Sequence, residues 1–134
     1  MIPKSVLLDL PFDESIASYG YEDLVLALEA QKNGITVRHV DNPIRHLELH
    51  TRDKFLEKSK VAIDNLVALR NRGHNIDTNL EQFARKISRL GLARMFQWYY
   101  ARREKAITAN LLSDNPNLRK FDLYRLNYFL GVSK

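Results

Sequence analysis

Two adjacent acidic residues, Glu22 and Asp23, are the first candidates for chemistry in this sequence. They follow Gly20 and precede an apolar run that ends at Gly34. The run predicts a helix over residues 24–33, with both carboxylates in the first turn, where the helix dipole favours negative charge. A carboxylate held at such a junction of loop and helix can act as a general base. Acidic residues in a first turn are also ordinary helix design.

The residues around this pair resemble part of a known enzyme family. The matching elements, in chain order, are Phe12-Asp13-Glu14, Gly20-Tyr21-Glu22-Asp23-Leu24, Leu26-Ala27 and Gly34. Their order is similar to the C-terminal part of the catalytic domain of bacterial family 2 glycosyltransferases, which are inverting enzymes of the GT-A type. The resemblance covers about the first half of the chain, and the second half carries no motif that we can assign.

The resemblance implies a role for several residues. Asp23 would be the catalytic base that takes the proton from the acceptor hydroxyl, and the acceptor-binding residues would be Glu22, Tyr21 and Gly20. His46 stands where the family has a histidine that approaches the metal ion or the diphosphate, because neutral imidazole is a good ligand. His39 and His50 lie near it in the sequence and leave this assignment open. A lone histidine at a strand end can also simply be packed and hydrogen-bonded.

The sequence contains no Asp-x-Asp motif and no glycine-rich phosphate loop. In the resembled family, an Asp-x-Asp motif in the donor half holds the divalent cation, Mg²⁺ or Mn²⁺, and the diphosphate of the donor. The resemblance thus implies a fragment of an enzyme that transfers sugar from a nucleotide-sugar donor to a saccharide or lipid-linked acceptor in surface polysaccharide synthesis. We expect the fragment alone to hold no cation and to be inactive.

Composition restricts the other possibilities. The chain of 134 residues has no cysteine, which excludes disulfides, thiolate metal sites and cysteine nucleophiles. No apolar run approaches the length of a membrane span, and residues 1–12 do not form a signal-peptide pattern. We therefore expect a cytoplasmic protein, with peripheral contact to the inner membrane as an open alternative.

Charge is distributed unevenly along the chain. Residues 1–76 carry 10 Lys and Arg against 11 Asp and Glu, whereas residues 77–134 carry 11 against 5. The basic half suits an anionic partner, so the alternative function is a basic helical module for binding or oligomerisation, at a membrane surface or on nucleic acid. Nucleic acid is disfavoured because no recognised motif is present. We expect a homo-oligomer, since the loss of a donor half would expose apolar surface.

The aromatic and basic residues between 94 and 105 allow two interpretations. Trp98, Tyr99 and Tyr100 alternate with arginines and Lys105, a composition suited to lipid headgroups. Alternatively, the aromatic side chains fill the core of a helical bundle and the arginines form a solvated rim. We favour the helical-bundle interpretation.

The predicted fold is mainly α (α+β), with four to five helices and a short two-strand β element at about residues 35–47. Residues 1–74 would be the acceptor-side segment of the catalytic domain and residues 75–134 a C-terminal helical extension. The predicted helices cover residues 24–33, 51–72, 78–90, 92–112 and 118–130, and residues 5–10 are a candidate for an additional short helix that Pro11 ends. Their predicted inward residues include Phe55, Leu66, Leu69, Phe83, Ile87, Leu90, Met95, Tyr99, Tyr100, Ile107, Leu111, Leu118, Phe121, Leu126 and Phe129.

Overall fold

The computed structural model of the chain describes residues 10, 20–36, 41, 43, 51–74 and 76–133. Within them the chain is mainly helical, as predicted, and it forms five α-helices. Numbered α1 to α5 in chain order, they are Glu22–Lys32, Arg52–Asn71, Asn79–Arg89, Ala93–Leu111 and Leu118–Val132. The helix predicted at residues 5–10 falls, apart from Leu10, outside the described residues.

The two-strand β element predicted at about residues 35–47 is not seen where the structure describes that range. The described positions, none of which belongs to a strand, are Ile35, Thr36, Asp41 and Pro43. The other positions of the range lie outside the described residues. Ile35 instead completes the end of α1, because its backbone N–H donates to the Ala30 carbonyl oxygen at 2.9 Å.

A glycine with positive φ follows each of three helices, and the helix end predicted at Gly34 is confirmed. Gly34 has a φ of +68°, and its N–H donates to the Gln31 carbonyl at 3.1 Å. With the Ile35 bond, this contact forms a Schellman motif, which satisfies carbonyl groups that the helix leaves unpaired. The ends of α2 and α3 repeat the motif at Gly73 and Gly91. These three ends are therefore set by local sequence.

A capping box formed by Thr78 and Glu81 begins α3. The Thr78 hydroxyl accepts from the Glu81 N–H at 3.2 Å, and the Glu81 carboxylate accepts from the Thr78 N–H at 3.4 Å. At the start of α5, the Asn117 side chain accepts from the Arg119 N–H at 2.9 Å. In both caps, a side-chain oxygen accepts a hydrogen bond from a backbone N–H group that has no partner within the helix.

Helix α5 is the element against which the other helices pack, since it contacts α2, α3 and α4. The main core cluster joins these helices to α1. Its buried members are Val25, Ile63, Leu66, Leu69, Ile76, Ala84, Leu126, Phe129 and Leu130. Residues on both sides of the predicted division at 74/75 therefore share one core.

Helices α2 and α5 run parallel, as three polar contacts along their length show. The Tyr124 hydroxyl lies 3.5 Å from the Leu56 carbonyl, and the Tyr128 hydroxyl donates to the Asp64 carboxylate at 2.9 Å. Near the C-terminal ends, the Arg70 guanidinium lies 3.5 Å from a backbone carbonyl just beyond α5. In these three pairs the residue number rises along both helices, so α2 and α5 run in the same direction.

A second cluster lies where α2, α4 and α5 meet. Its buried members are Leu56, Tyr100, Ile107, Leu111 and Tyr124. The stripe predicted for Tyr100, Ile107 and Leu111 is thus confirmed. Burial raises the pKa of the Tyr100 hydroxyl to about 12, and the nearby charge of Glu104 adds to the effect.

Several side chains predicted to face inward are instead exposed. Their exposed fractions are 53% for Phe55, 54% for Phe83, 70% for Leu90, 60% for Met95, 42% for Tyr99 and 78% for Leu118. These predictions are wrong because the apolar residues of each helix extend around more of its circumference than the neighbouring helices cover. On α3, the small side chain Ala84 is buried at 3% exposure and the larger Phe83 is not.

We expect Leu66→Ala to destabilise the fold strongly. Leu66 is 0% exposed in the main cluster, and a buried leucine truncated to alanine loses about 2–5 kcal/mol in the free energy of unfolding. Urea unfolding followed by circular dichroism measures the difference. Phe83→Ala is the control and should change the free energy of unfolding little, because Phe83 is 54% exposed. Equal losses in the two variants would contradict this core.

Stability should fall at alkaline pH because of Tyr100. Its pKa is about 12 when folded against a normal value of 10.0, so between those values the unfolded chain binds fewer protons. The free energy of unfolding must then decrease as pH rises through this window. Urea midpoints from pH 9 to 11 measure the slope. Tyr100→Phe should reduce the slope without abolishing it, because burial also raises the pKa values of Tyr124 and Tyr128. Tyr99→Phe on the exposed side is the control, and an unchanged slope in Tyr100→Phe would refute the assignment.

Candidate functional site

The Gly20–Tyr21 turn leads directly into α1 and carries the acidic pair into its first turn, as the sequence predicts. Glu22 is the first residue of α1 and Asp23 the second. The Tyr21 carbonyl accepts the first helical hydrogen bond, from the Val25 N–H at 2.9 Å. Asp23 is exposed to solvent, so its carboxylate is accessible in the first turn of α1, where the helix dipole favours negative charge.

The backbone of this turn adopts an uncommon conformation. Gly20 has a φ of +106° and Tyr21 a φ of +71°, and Tyr21 is the one non-glycine residue with positive φ in the described part of the chain. A bulky residue in the left-handed region is unfavourable and persists only where its surroundings hold it. The Tyr21 side chain is partly buried against the main core cluster, and this packing stabilises the conformation.

Helix α2 packs directly against the turn. A Cβ atom added at Gly20 would lie 2.9 Å from the Cβ of Ala62, so the two backbones approach more closely than any larger residue permits. The Asn65 side-chain amide donates to the Gly20 carbonyl at 3.3 Å, and Asn65 is itself buried at 8% exposure. The start of α1 is thereby fixed to α2 by packing and by a hydrogen bond.

Helix α1 packs against the main core cluster through Val25 and Leu28. Val25 is 3% exposed in the main cluster and Ala30 is buried at 7% exposure, while Leu28 packs against the cluster in part. Asp23 and Leu24 are exposed. Because Val25 fixes the rotation of the helix about its axis, Asp23 keeps a defined direction away from the core. The arrangement provides a positioned, solvated carboxylate that can accept hydrogen bonds or a proton.

Sequence reasoning missed the supporting residues Ala62 and Asn65. In the sequence, Ala62 is only one of several apolar positions along α2. A signal for Asn65 exists in the sequence, since it is a polar residue between the apolar positions Ile63 and Leu66. A buried polar side chain needs a partner, and here the Gly20 carbonyl provides one.

The structure does not bring every predicted site residue together. His46, the predicted metal ligand, lies outside the described residues, as do His39 and His50. The backbone of Glu22 is described as the start of α1, but its side chain is not. Among the residues that are described, no group of three or more His, Asp or Glu could hold a metal ion.

A second surface with unusual chemistry lies on α4. We define the α4 outer face as Leu92, Met95, Trp98, Tyr99, Arg102 and Arg103. The Arg102 guanidinium lies 4.0 Å from the centre of the Trp98 ring, and that of Arg103 lies 5.1 Å from the centre of the Tyr99 ring. Both are cation–π contacts between residues four apart, a spacing that places side chains on the same side of a helix.

This surface overturns part of the helical-bundle interpretation of the aromatic residues. Trp98 is 57% exposed and Tyr99 is 42% exposed, so neither fills the core as predicted. Tyr100 does, at 4% exposure. The physical reason is that α4 presents only one side to α5. That side carries Tyr100, whereas Trp98 points to solvent.

Comparison with known proteins identifies no relative: neither a family model, nor a curated protein, nor a solved structure matches this chain. In the described part of the chain, the helices are too short or too polar to cross a membrane. The candidate sites therefore depend on their own geometry.

Gly20→Ala should destabilise the chain more than Gly34→Ala. Both glycines have positive φ, where an L-residue loses roughly 1–2 kcal/mol, but only Gly20 would also clash with Ala62. Thermal unfolding of both variants measures the difference. In a double-mutant cycle, Gly20→Ala should cost less in an Ala62→Gly background than in the natural chain, because the 2.9 Å contact with the Ala62 Cβ is then absent. If the two single variants unfold alike, the close approach to α2 is not what requires glycine at this position.

Proposed function

We propose that this chain forms the acceptor side of an inverting glycosyltransferase that uses a nucleotide-sugar donor, with Asp23 as the general base. The observation that supports the proposal is an exposed carboxylate on a turn that α2 holds in place through Ala62 and Asn65. A general base must be held within hydrogen-bonding reach of the proton it removes. Tyr21 holds a positive φ, which is a costly way for a non-glycine residue to begin a helix, and such strain is typical of functional sites.

In the proposed reaction, a hydroxyl group of the acceptor sugar donates its hydrogen bond to the Asp23 carboxylate. The proton moves to Asp23 as the hydroxyl oxygen attacks the anomeric carbon of the donor from the face opposite the leaving group. The bond from that carbon to the diphosphate breaks, and a nucleoside diphosphate leaves with inversion. Asp23 acts chiefly by orientation and proton acceptance, which contribute about 10²–10⁴-fold to such reactions.

The neighbours of Asp23 serve the acceptor in different ways. Glu22 is proposed to hydrogen-bond acceptor hydroxyls from the adjacent helical position. Tyr21 and Gly20 contribute mainly by shaping the turn, since the Tyr21 side chain packs on the core and the Gly20 carbonyl accepts from Asn65. The proposed acceptor is a saccharide, free or lipid-linked, of the kind used in surface polysaccharide synthesis.

The donor and the divalent cation, Mg²⁺ or Mn²⁺, are assigned to elements other than this turn. The sequence has no Asp-x-Asp motif, so the residues that hold the cation and the diphosphate are proposed to come from outside these 134 residues. His46 keeps its proposed role beside the metal or the diphosphate on the basis of the resemblance. Transfer activity thus requires this chain together with a donor-binding region.

We expect Asp23→Asn to lower kcat about 10²–10⁴-fold in a transferase that combines this chain with its donor-binding region. Asparagine keeps the shape of the side chain but cannot accept the proton. The measurement is nucleoside diphosphate release at saturating donor and acceptor.

Asp53→Asn is a closely matched control for this experiment. Asp53 is also the second residue of its helix and is also exposed, while a hydrogen bond from the Thr51 side chain lowers its pKa. It should retain full activity. A fully active Asp23→Asn enzyme would overturn the proposed function. Equal losses of activity in both variants would show that removing a negative charge from a helix start lowers activity, and that Asp23 is not a specific base.

A further inference from the structure

We infer that the α4 outer face is a docking surface for an anionic lipid membrane. This inference concerns a different surface from the Asp23 turn and stands independently of the proposed transferase function. It depends on three observations: exposed apolar side chains in one stretch, a one-sided distribution of charge, and arginines stacked on exposed rings.

The exposed apolar side chains concentrate at one end of α4 and in the turn before it. Their exposed fractions are 70% for Leu90, 39% for Leu92, 60% for Met95, 57% for Trp98 and 42% for Tyr99. The last four recur at spacings of three and four residues, so they share one side of the helix. Tyr100, Ile107 and Leu111 occupy the opposite, buried side. A helix with this pattern can lie in a membrane surface without crossing it.

The charge of this region is almost entirely positive. Residues 86–105 contain six basic residues, namely Lys86, Arg89, Arg94, Arg102, Arg103 and Lys105, and a single acidic one, Glu104. All six basic side chains are exposed. A membrane that contains anionic lipids attracts such a cluster, and each Lys or Arg near the surface contributes to binding.

The stacked arginines fit a lipid interface in particular. The Arg102 and Arg103 guanidinium groups lie over the Trp98 and Tyr99 rings at 4.0 and 5.1 Å. Tryptophan and tyrosine prefer the headgroup region, where the ring is shielded and its polar edge stays wet. Arginine can bind lipid phosphate through two parallel hydrogen bonds while its stem covers the ring.

Nucleic acid and a second copy of the chain fit this face less well. Single-stranded nucleic acid stacks its bases on open aromatic faces, and here arginines already cover Trp98 and Tyr99. Leu90, Leu92 and Met95 have no function in base stacking but can insert between acyl chains. Symmetric pairing of two α4 outer faces would bring basic clusters together, which like-charge repulsion opposes.

Trp98 provides a direct test because it is the only tryptophan in the sequence. We expect its fluorescence to shift to shorter wavelength and to resist acrylamide quenching when vesicles of phosphatidylcholine and phosphatidylglycerol are added at low salt. Brominated acyl chains should quench it. Pure phosphatidylcholine vesicles should produce little change. No shift with anionic vesicles would overturn the inference.

Matched variants separate this face from general basicity. Arg94, which adjoins Met95 of the α4 outer face, and Arg119 are each the second residue of a helix and are both exposed. Arg94→Glu should weaken partitioning onto anionic vesicles about 10- to 30-fold, because reversal replaces an attraction with a repulsion. Arg119→Glu should change it little. Likewise, Met95→Ser should reduce partitioning and Leu118→Ser, at a site 78% exposed, should not.

The competing occupants give distinct results in the same assay. Quenching of Trp98 by a single-stranded oligonucleotide, with no response to vesicles, would assign the face to nucleic acid. Protection of Trp98 that rises with protein concentration in the absence of lipid, with a dimer in sedimentation, would assign it to a second copy. Either outcome overturns the inference. None of these variants changes Asp23. A negative result for membrane binding therefore does not bear on the transferase proposal, which the Asp23→Asn experiment tests separately.

Discussion

Burial of the apolar side of α5 is the interaction on which the rest of this structure depends. Phe129 and Leu130 enter the main cluster and Tyr124 the second one, so a single helix links the two. Helices α2, α3 and α4 each contact α5. The way each helix packs against α5 therefore decides which of its faces is buried. The side of α4 that α5 covers becomes core. The remaining side keeps Trp98 and Met95 in solvent.

The position of the Gly20–Tyr21 turn also depends on this packing. Helix α2 is oriented by α5, and α2 in turn carries Ala62 and Asn65 to the turn. The hydrogen bond to Gly20 and the packing of Tyr21 hold the start of α1 at a fixed place. A proton acceptor needs this kind of support, since a carboxylate on a freely moving loop would reach a useful geometry only rarely.

The two candidate surfaces differ in their physical requirements. As a general base, Asp23 would act through position, so it would depend on close contacts such as that between Gly20 and Ala62. As a docking surface, the α4 outer face would act through area and charge, and its contacts with a lipid surface would need no single geometry. If the proposed acceptor is a saccharide carried on a lipid, membrane docking would concentrate the chain near it.

Local sequence by itself determined the ends of α1, α2 and α3 and the start of α3. Glycine adopts the left-handed conformation that a Schellman motif requires, and Thr78 with Glu81 satisfies free backbone donors; both effects act within six residues. The sequence also placed Asp23 in a first turn. Tertiary structure alone decided which part of each apolar arc is buried, as Phe83 and Trp98 show. The reason is that burial needs a partner surface, and the position of that surface depends on residues far away in the chain.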